Sequence, residues 1–339
     1  MRNPHLFPLS SLLLLIIVLS TGMGYLEISP LEVIKIIFAR ITGDHELLRG
    51  LNHVFPYVVW EVRLPRILTS AIVGAGLSIS GVIFQGILLN PLADPYTLGV
   101  SAGAAFGASI ALLLDIHSLG IYSVPVFAFC GAVGTLVAVM SLSSFNGEMS
   151  SNNLILSGII IAAILSAGIS FIKYVADEQV SIIIFWLMGS FASKTWAEVS
   201  LSCVCVLAGF LICLFFARDL NIMSLGDRSA NSLGISANRV RMVLLVTASF
   251  MTAVCVSVSG IIGFIGLIVP HLMRFFTGAD NRKLIPASSL AGAGLLLGAD
   301  TITRAVLPVE VPIGVLTALI GGPFFCYIFR QRSVGGLRA

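Results

Sequence analysis

Side chains that could carry out catalysis are few in this sequence of 339 residues, and they are scattered along it. The five histidines stand at positions 5, 45, 53, 117 and 271. An enzyme would need a nucleophile next to a base, or a set of metal ligands. The zinc motif H-E-x-x-H does not occur. The sequence therefore predicts a protein that has no catalytic centre.

The cysteines do not form a metal or disulfide pattern. They lie at positions 130, 203, 205, 213, 255 and 326, each inside or beside an apolar run, without a C-x-x-C pair or a Cys/His cluster. Structural zinc sites and disulfide frameworks require such spacing. We therefore predict that the cysteines are packing residues and that the chain holds no metal.

Ionisable residues are almost absent from the interiors of the apolar runs. A carrier coupled to protons or sodium needs such a residue at membrane depth. Asp300 and Arg304 stand four positions apart near the end of one run, a spacing that predicts a local structural pair. An ion-coupled carrier that acts alone is therefore the less favoured alternative.

The composition defines the elements that position these residues. Hydrophobic residues make up 57% of the chain, which has only 19 Lys and Arg and 16 Asp and Glu, and the mean hydropathy is +1.03. These values predict an all-α, polytopic membrane protein with a single transmembrane domain over residues 1–339. The apolar runs predict about ten spans, near 6–24, 65–88, 97–114, 121–143, 153–174, 197–217, 239–259, 261–276, 284–303 and 311–330.

The distribution of basic residues predicts the orientation of these spans. The first run lacks a small-residue cleavage site, so we expect a retained helix and not a signal peptide. If the N-terminus is cytoplasmic, eleven Lys and Arg lie on the cytoplasmic side and eight on the other side, five of them in residues 25–66. The bias predicts that both termini are cytoplasmic. The net charge of +3 gives no indication of nucleic-acid binding.

Two external segments are predicted outside the spans. Residues of about 28–60 form an amphipathic segment in which Leu31, Ile34, Phe38 and Ile41 recur at helical spacing, as in a helix that lies at the membrane interface. Residues 180–193 are apolar but too short to cross a bilayer, and they predict a short helix.

Three further patterns stand between or within the spans. The stretch "NPLADPYTLGV" (90–100) interrupts two apolar runs with two prolines and a polar turn, which predicts a helix break. "GAGLSISG" (74–81) and "AGAGLLLG" (291–298) carry small residues at a spacing that lets helix backbones approach closely. The loop 218–242 predicts two short helices around a glycine turn, an order that suggests a docking partner in the cytoplasm.

Five motifs occur in order: "RLPRIL", "NPLADPYTLGVSAGA", "LGDRSANSLG", "GFIGLIVPHLMR" and "VPIGVLTALIGGPFF". Together they resemble the permease family of binding-protein-dependent ABC importers for iron-siderophores, haem and cobalamin. The resemblance covers the chain from about residue 60 to its end. It implies the type II ABC importer permease fold and a homodimer in the cytoplasmic membrane. It also implies two ATP-binding cassette subunits on one side and a periplasmic or lipid-anchored binding protein on the other.

The resemblance also implies roles for particular residues. Residues 219–238 would be the coupling helices that dock into the ATPase, the matching residues being Leu225, Gly226, Asp227, Ala230, Leu233 and Gly234. Asn90, Pro91 and Leu92, with Ser150 and Ser151, would form the cytoplasmic gate. Arg63, Arg66 and Arg304 would pair with acidic residues of the binding protein, since the guanidinium fork suits carboxylates.

The cofactors and the substrate follow from the same resemblance. The sequence contains no G-x-x-x-x-G-K-[ST] phosphate loop, so ATP and Mg²⁺ would be used by the partner ATPase and no cofactor by this chain. The expected cargo is a ferric siderophore, haem or cobalamin. An oxyanion such as molybdate stays open.

Overall fold

The structure, a computed structural model, describes residues 6–116, 118–144, 150–307 and 309–335, and every regular element within these ranges is helical. Arg2, His5, His117 and Arg338 lie outside them. The α-helices are α1 (Leu6–Gly22), α2 (Pro30–Thr42), α3 (Val54–Tyr57), α4 (Leu64–Ile87), α5 (Val100–Leu113), α6 (Ser123–Ser143), α7 (Ser151–Val175), α8 (Val180–Leu187), α9 (Trp196–Phe215), α10 (Ala217–Met223), α11 (Asp227–Ser232), α12 (Ala237–Ser259), α13 (Ile265–Thr277), α14 (Asn281–Ala305) and α15 (Ile313–Gly335).

Every predicted span corresponds to one of these helices. In the described part of the chain, six helical stretches are long and apolar enough to cross a membrane: Val54–Ile87, Gly120–Ser143, Ser151–Val175, Trp196–Phe215, Ala237–Ser259 and Asn281–Ala305. Shorter apolar helices cover the other predicted positions: Leu6–Gly22, Val100–Leu113, Ile265–Thr277 and Ile313–Cys326. The predicted all-α membrane fold is confirmed, and the chain is a multi-pass membrane protein.

Helix α4 lies at the centre of the bundle and packs against α9, α12, α13 and α14. A Cβ atom on Gly74 would overlap the Gly292 carbonyl of α14, and one on Gly81 would overlap the Gly266 carbonyl of α13. Helices in lipid gain little from hydrophobic burial against each other, so close backbone contact must supply the packing energy. The small-residue patterns predicted to allow close approach are therefore packing surfaces.

The bundle has two ends, which carry different elements. The end that carries α10 and α11 is called here the paired-helix end, and α4 finishes there, with Leu220 packed on Gly86. The opposite end holds the first turn of α4 and the last turns of α1 and α14, where Arg66 meets Asp300. Each end presents one group of the residues singled out in the sequence.

Helices α2 and α8 lie outside the long spans. Ser29 and Glu32 form a capping box that starts α2, and Gly43 in the left-handed conformation ends it. The residues that α2 buries are Val33, Ile36 and Ala39, whereas the predicted apolar face of Leu31, Ile34, Phe38 and Ile41 is exposed. The packing face of α2 is thus a different one from the face expected, and its place at the membrane interface stays a prediction. Helix α8 has eight residues, as short as expected.

Candidate functional site

The paired-helix end carries a compact element that the sequence anticipated. Helix α10 is followed by Leu225 and Gly226, and α11 by Leu233 and Gly234. Gly226 has φ +98° and Gly234 has φ +82°, values that side chains other than glycine adopt only with strain. The two glycines therefore set the turns on both sides of α11, and residues 217–236 are called here the paired-helix segment.

The inner side of this segment is fixed to the bundle. Arg241 of α12 donates to both oxygens of Asp227, at 2.7 and 2.9 Å, and Ala230 is fully buried. On the outer side, Leu225 is 68% and Leu233 is 64% exposed. Apolar side chains held outward on a braced element are typical of a docking surface.

Asn221 of α10 joins the segment to α14, a role that no sequence pattern indicates. Its amide nitrogen donates to Asp280 at 2.7 Å, and its amide oxygen accepts from the backbone and side-chain nitrogens of Asn281 at 2.9 and 2.8 Å. Hydrogen bonds from Arg282 first, and then from Asn221, hold the pKa of Asp280 below its ordinary value. The sequence Asp280-Asn281 indicates the start of a helix. It does not indicate that Asn221, 59 positions before Asp280, binds this start.

The two segments predicted to form a gate lie together near the same end. The hydroxyl of Ser151 donates to the carbonyl of Ile87 at 3.2 Å, which links the start of α7 to the end of α4. Ser150 caps α7 by accepting from the Asn153 backbone N–H. Asn90 accepts from the Leu92 N–H through its side chain at 2.9 Å, closing the turn around Pro91. Leu92 is 44% exposed.

Beyond this turn the chain re-enters the bundle before α5 begins. Pro95 lies close to Gly266, and Gly266 packs against the carbonyl of Leu77. Leu77 stands ten residues before the last residue of α4, so Pro95 lies well inside the bundle. Backbone outside a helix is tolerated at membrane depth only when protein groups satisfy it. Asp94 accepts from the Tyr96 N–H at 3.1 Å and from the Thr97 hydroxyl at 2.8 Å.

The re-entrant stretch is tied to a second irregular segment. The Tyr96 hydroxyl donates to the carbonyl of Ile262 and accepts from its N–H at 3.2 Å. Ile262 belongs to residues 260–264, the connection between α12 and α13. The helix break predicted in "NPLADPYTLGV" is therefore real, but α5 starts at Val100 and not near residue 97.

At the opposite end, Arg63 and Arg304 bind the end of α1. Arg63 donates to the carbonyls of Thr21 at 2.8 Å and Gly22 at 2.9 Å, and to that of Leu26, and it is only 6% exposed. Arg304 donates to the carbonyls of Met23 at 2.6 Å and Ser20 at 2.8 Å. Both arginines thus satisfy carbonyls that the end of a helix leaves without partners.

Arg66 forms an ion pair that the sequence did not predict. Its Nε and Nη2 donate to Asp300 at 3.0–3.2 Å, and its Nη1 approaches Glu310 at 3.3 Å. Asp300 therefore bonds with α4, and the expected pair of Asp300 with Arg304 is wrong. A cavity of about 180 Å³ opens beside Arg66, with Phe185 and Glu310 among its lining residues. The binding-protein role of Arg63, Arg66 and Arg304 stays a prediction.

The remaining reactive groups do not assemble into a centre. Among the described residues, no three His, Cys, Asp or Glu side chains lie close enough together to hold a metal ion. Gly99 to Gly103 matches G-x-S-x-G by letter, but Ser101 lies in the first turn of α5 and not on the strand-to-helix turn of a nucleophile elbow. Only Cys213 and Cys255 are buried, so the packing role predicted for all six cysteines is wrong for Cys130, Cys203 and Cys326, which are exposed.

Comparison with known proteins agrees with this geometry. The model of the FecCD transport family matches residues 12–331. The cobalamin import system permease protein BtuC of Halobacterium salinarum is 40% identical over 288 residues, which cover 85% of this chain and 77% of that protein. The molybdate import system permease protein MolB of Haemophilus influenzae is 37% identical over 335 residues, covering 98% of this chain and 97% of that protein.

A solved structure gives the same result at the level of the fold. It is the inward-facing conformation of a metal-chelate type ABC transporter, it has a TM-score of 0.85 and 34% sequence identity, and the match covers 97% of this chain and 100% of the solved chain.

Proposed function

The chain belongs to the FecCD transport family, and on this premise we propose that it is the transmembrane subunit of an ATP-driven importer. Its cargo is a metal chelate or a corrinoid, delivered by a periplasmic or extracellular binding protein and released into the cytoplasm. The chain itself is not catalytic, binds no cofactor and leaves ATP and Mg²⁺ to a partner ATPase. The main support for this proposal is the paired-helix segment. The ion pair of Asp227 with Arg241 fixes it to the bundle, and Leu225 and Leu233 are exposed on its outer side.

The paired-helix end faces the cytoplasm in this proposal, and both termini lie on the same side. The excess of Lys and Arg assigned to that side supports the orientation. The membrane is then the cytoplasmic (inner) membrane. The opposite end, with the clasped end of α1 and the cavity beside Arg66, faces the binding protein.

Closure of two nucleotide-bound ATPase subunits moves the docked segment as a rigid body. Asn221 passes the movement to α14, and Arg241 passes it to α12. The contact between Ser151 and the end of α4 then opens or closes. Such a transition requires that the nucleotide-bound ATPase contact the two states differently. Two copies of the chain would line one pathway between them.

Docking of the binding protein uses the arginines unequally. Arg63 is buried and engaged with backbone carbonyls, so its contribution is to hold the docking surface in shape. Arg66 has an outer arm whose partner, Glu310, is 3.3 Å away and 56% exposed at its side chain. An acidic residue of a binding protein reaches that arm more easily than the arm bound to Asp300.

The substrate is open between a chelate and an oxyanion. The relatives named above import cobalamin and molybdate at 40% and 37% identity, so sequence similarity does not separate these chemistries. Molybdate-type oxyanion import is thus the second candidate. Selectivity would lie with the binding protein, which holds the ligand before release.

The test is purification of the tagged chain from its native membrane in mild detergent, followed by protein identification and an ATPase assay. A stoichiometric ATP-binding protein is expected, and it is lost in the double variant Leu225→Ser, Leu233→Ser. Leu119→Ser, which changes an exposed leucine at the opposite end, is the matched control. Gradient-driven transport by the chain alone in proteoliposomes, without ATP, would establish the secondary carrier instead.

A further inference from the structure

An apolar groove lies between α6, α9 and α12, and none of the gate, coupling or clasp residues lines it. Its volume is about 220 Å³. The walls are formed by Val126 and Phe129 of α6, Leu201 and Cys205 of α9, and Phe250 and Val254 of α12. Phe129 and Phe250 meet edge to face, with ring centroids 5.3 Å apart.

The groove lies in the half of the membrane next to the opposite end. Helices α6 and α9 begin at that end and α12 finishes there, and the lining residues come from those parts of the three helices. From Glu198 to Cys205 the groove descends about 10 Å along α9, at 1.5 Å per residue. This depth is about one third of a hydrocarbon core of ~30 Å.

The groove is open towards the surroundings of the bundle, since Val126 is 39%, Leu201 55% and Phe250 42% exposed. The helices that form it are all among the stretches able to span a membrane, so these surroundings are acyl chains. Ser257 donates to the carbonyl of Val254 in its own helix and offers water no donor. Water needs two to four polar partners to stay in such a site.

Glu198 lines the groove, and its carboxylate binds Lys194, which lies next to the groove through this ion pair. The Lys194 ammonium donates to Glu198 at 2.9 Å, and the other oxygen of that carboxylate accepts from the backbone and hydroxyl of Thr195. Both oxygens of the Glu198 carboxylate therefore accept hydrogen bonds from neighbouring residues. The Lys194 ammonium has three N–H donors, and one of them binds Glu198. Trp196 packs against Trp60 beside it, with ring centroids 5.0 Å apart and ring planes 38° apart, and tryptophan is enriched at the membrane interface.

We propose that this groove binds one membrane phospholipid, with an acyl chain between α6, α9 and α12 and the phosphate at Lys194. The proposal depends on the membrane location of the chain and not on its role in import. A bound acyl chain fills space that the three helices leave between them, and it stabilises α12, the helix whose Arg241 holds Asp227 of the paired-helix segment.

The experiment measures phospholipid retained by the purified chain, using native mass spectrometry after detergent exchange and return of phosphatidylethanolamine or phosphatidylglycerol. One lipid per chain is expected. Leu201→Trp fills the groove and reduces retention about tenfold, which corresponds to 1.4 kcal/mol. Leu207→Trp, on the same helix, 54% exposed and outside the groove, leaves it unchanged. Equal loss in the two variants would mean general lipid contact and would overturn the proposal.

Two further measurements keep the proposal testable if a tryptophan variant fails to fold. In the unaltered chain, added phospholipid slows maleimide labelling of Cys205 in the groove but not of the exposed Cys203. Lys194→Gln weakens phospholipid binding and leaves binding of diacylglycerol, which lacks phosphate, unchanged. Equal labelling rates with and without lipid, or a change of oligomeric state in Leu201→Trp that points to a second copy in the groove, would refute it.

Discussion

Each end of the bundle carries residues to which the sequence assigns a binding role. The arginines at one end bind groups of the same chain, whereas the leucines at the other end are exposed. At the opposite end, Arg63, Arg66 and Arg304 are engaged with carbonyls and carboxylates of the same chain. At the paired-helix end, Leu225 and Leu233 point away from the chain. One end is therefore bonded within itself, whereas the other leaves apolar surface exposed.

The largest effect on stability is expected for Asp300→Asn. It leaves the largely buried Arg66 beside a neutral side chain, and breaking a buried pair from one side costs about 3–5 kcal/mol. Thermal unfolding in detergent measures the loss. Glu310→Gln removes the exposed partner of the same arginine and is expected to cost less than about 1 kcal/mol. Similar losses in both variants would show that the inner pair is not the stronger one.

Arg63→Gln tests the clasp on α1. The variant removes charged donors from the carbonyls of Thr21 and Gly22, and each such bond is worth about 1.5–3 kcal/mol. We expect a loss of about 3 kcal/mol, the lower bound for two such bonds, seen as a lower unfolding temperature. Arg40→Gln, on the exposed side of α2, is the control with no expected change. If Arg63→Gln abolished binding-protein docking at unchanged stability, the arginine would be a docking residue and not part of the clasp.

Gly226→Ala and Gly234→Ala test the turns of the paired-helix segment. A Cβ atom would meet no neighbour at either position, so the cost is backbone strain alone, about 1–3 kcal/mol. Amide hydrogen exchange of α11 should rise in both variants. Gly134→Ala, in the interior of α6 and likewise in open space, should be neutral or stabilising. Unchanged exchange in the two turn variants would contradict the assigned role of these glycines.

Asn221→Ala separates the segment from α14. Loss of its bonds to Asp280 and Asn281 should cost about 1 kcal/mol. A greater effect is expected on coupling: ATP hydrolysis by the assembled transporter continues while uptake falls. Asn52→Ala, which removes a local bond at the other end, is the control for the amide itself. Parallel loss of hydrolysis and uptake would assign Asn221 to assembly and not to transmission.

The smallest effect on stability is expected for Leu225→Ser with Leu233→Ser. Both leucines are exposed, and surface changes of this kind alter stability by about 0.5 kcal/mol or less. Uptake should nevertheless be lost, because the apolar contacts with the ATPase disappear. Full uptake in this double variant would mean that the exposed leucines are not the docking surface.

Several features could be predicted because they depend on local composition. The spans follow from hydropathy, since about 20 apolar residues form one crossing wherever they stand. The turns at Gly226 and Gly234 follow from glycine, which tolerates positive φ. The small-residue patterns predict that helices pack closely at Gly74 and Gly292. They do not predict that these two glycines contact each other.

Contacts between distant residues were decided by the tertiary structure. Asp300 takes Arg66, 234 positions away, in preference to Arg304 four positions away. Tyr96 meets Ile262, and Arg63 meets the carbonyls of α1. The physical reason is that a charge or an open carbonyl inside a bundle must find a partner, and the packed helices determine which partner is within reach. Local sequence patterns thus specify the helices and their breaks, whereas the folded bundle determines which leucines are exposed and which partners its arginines bind.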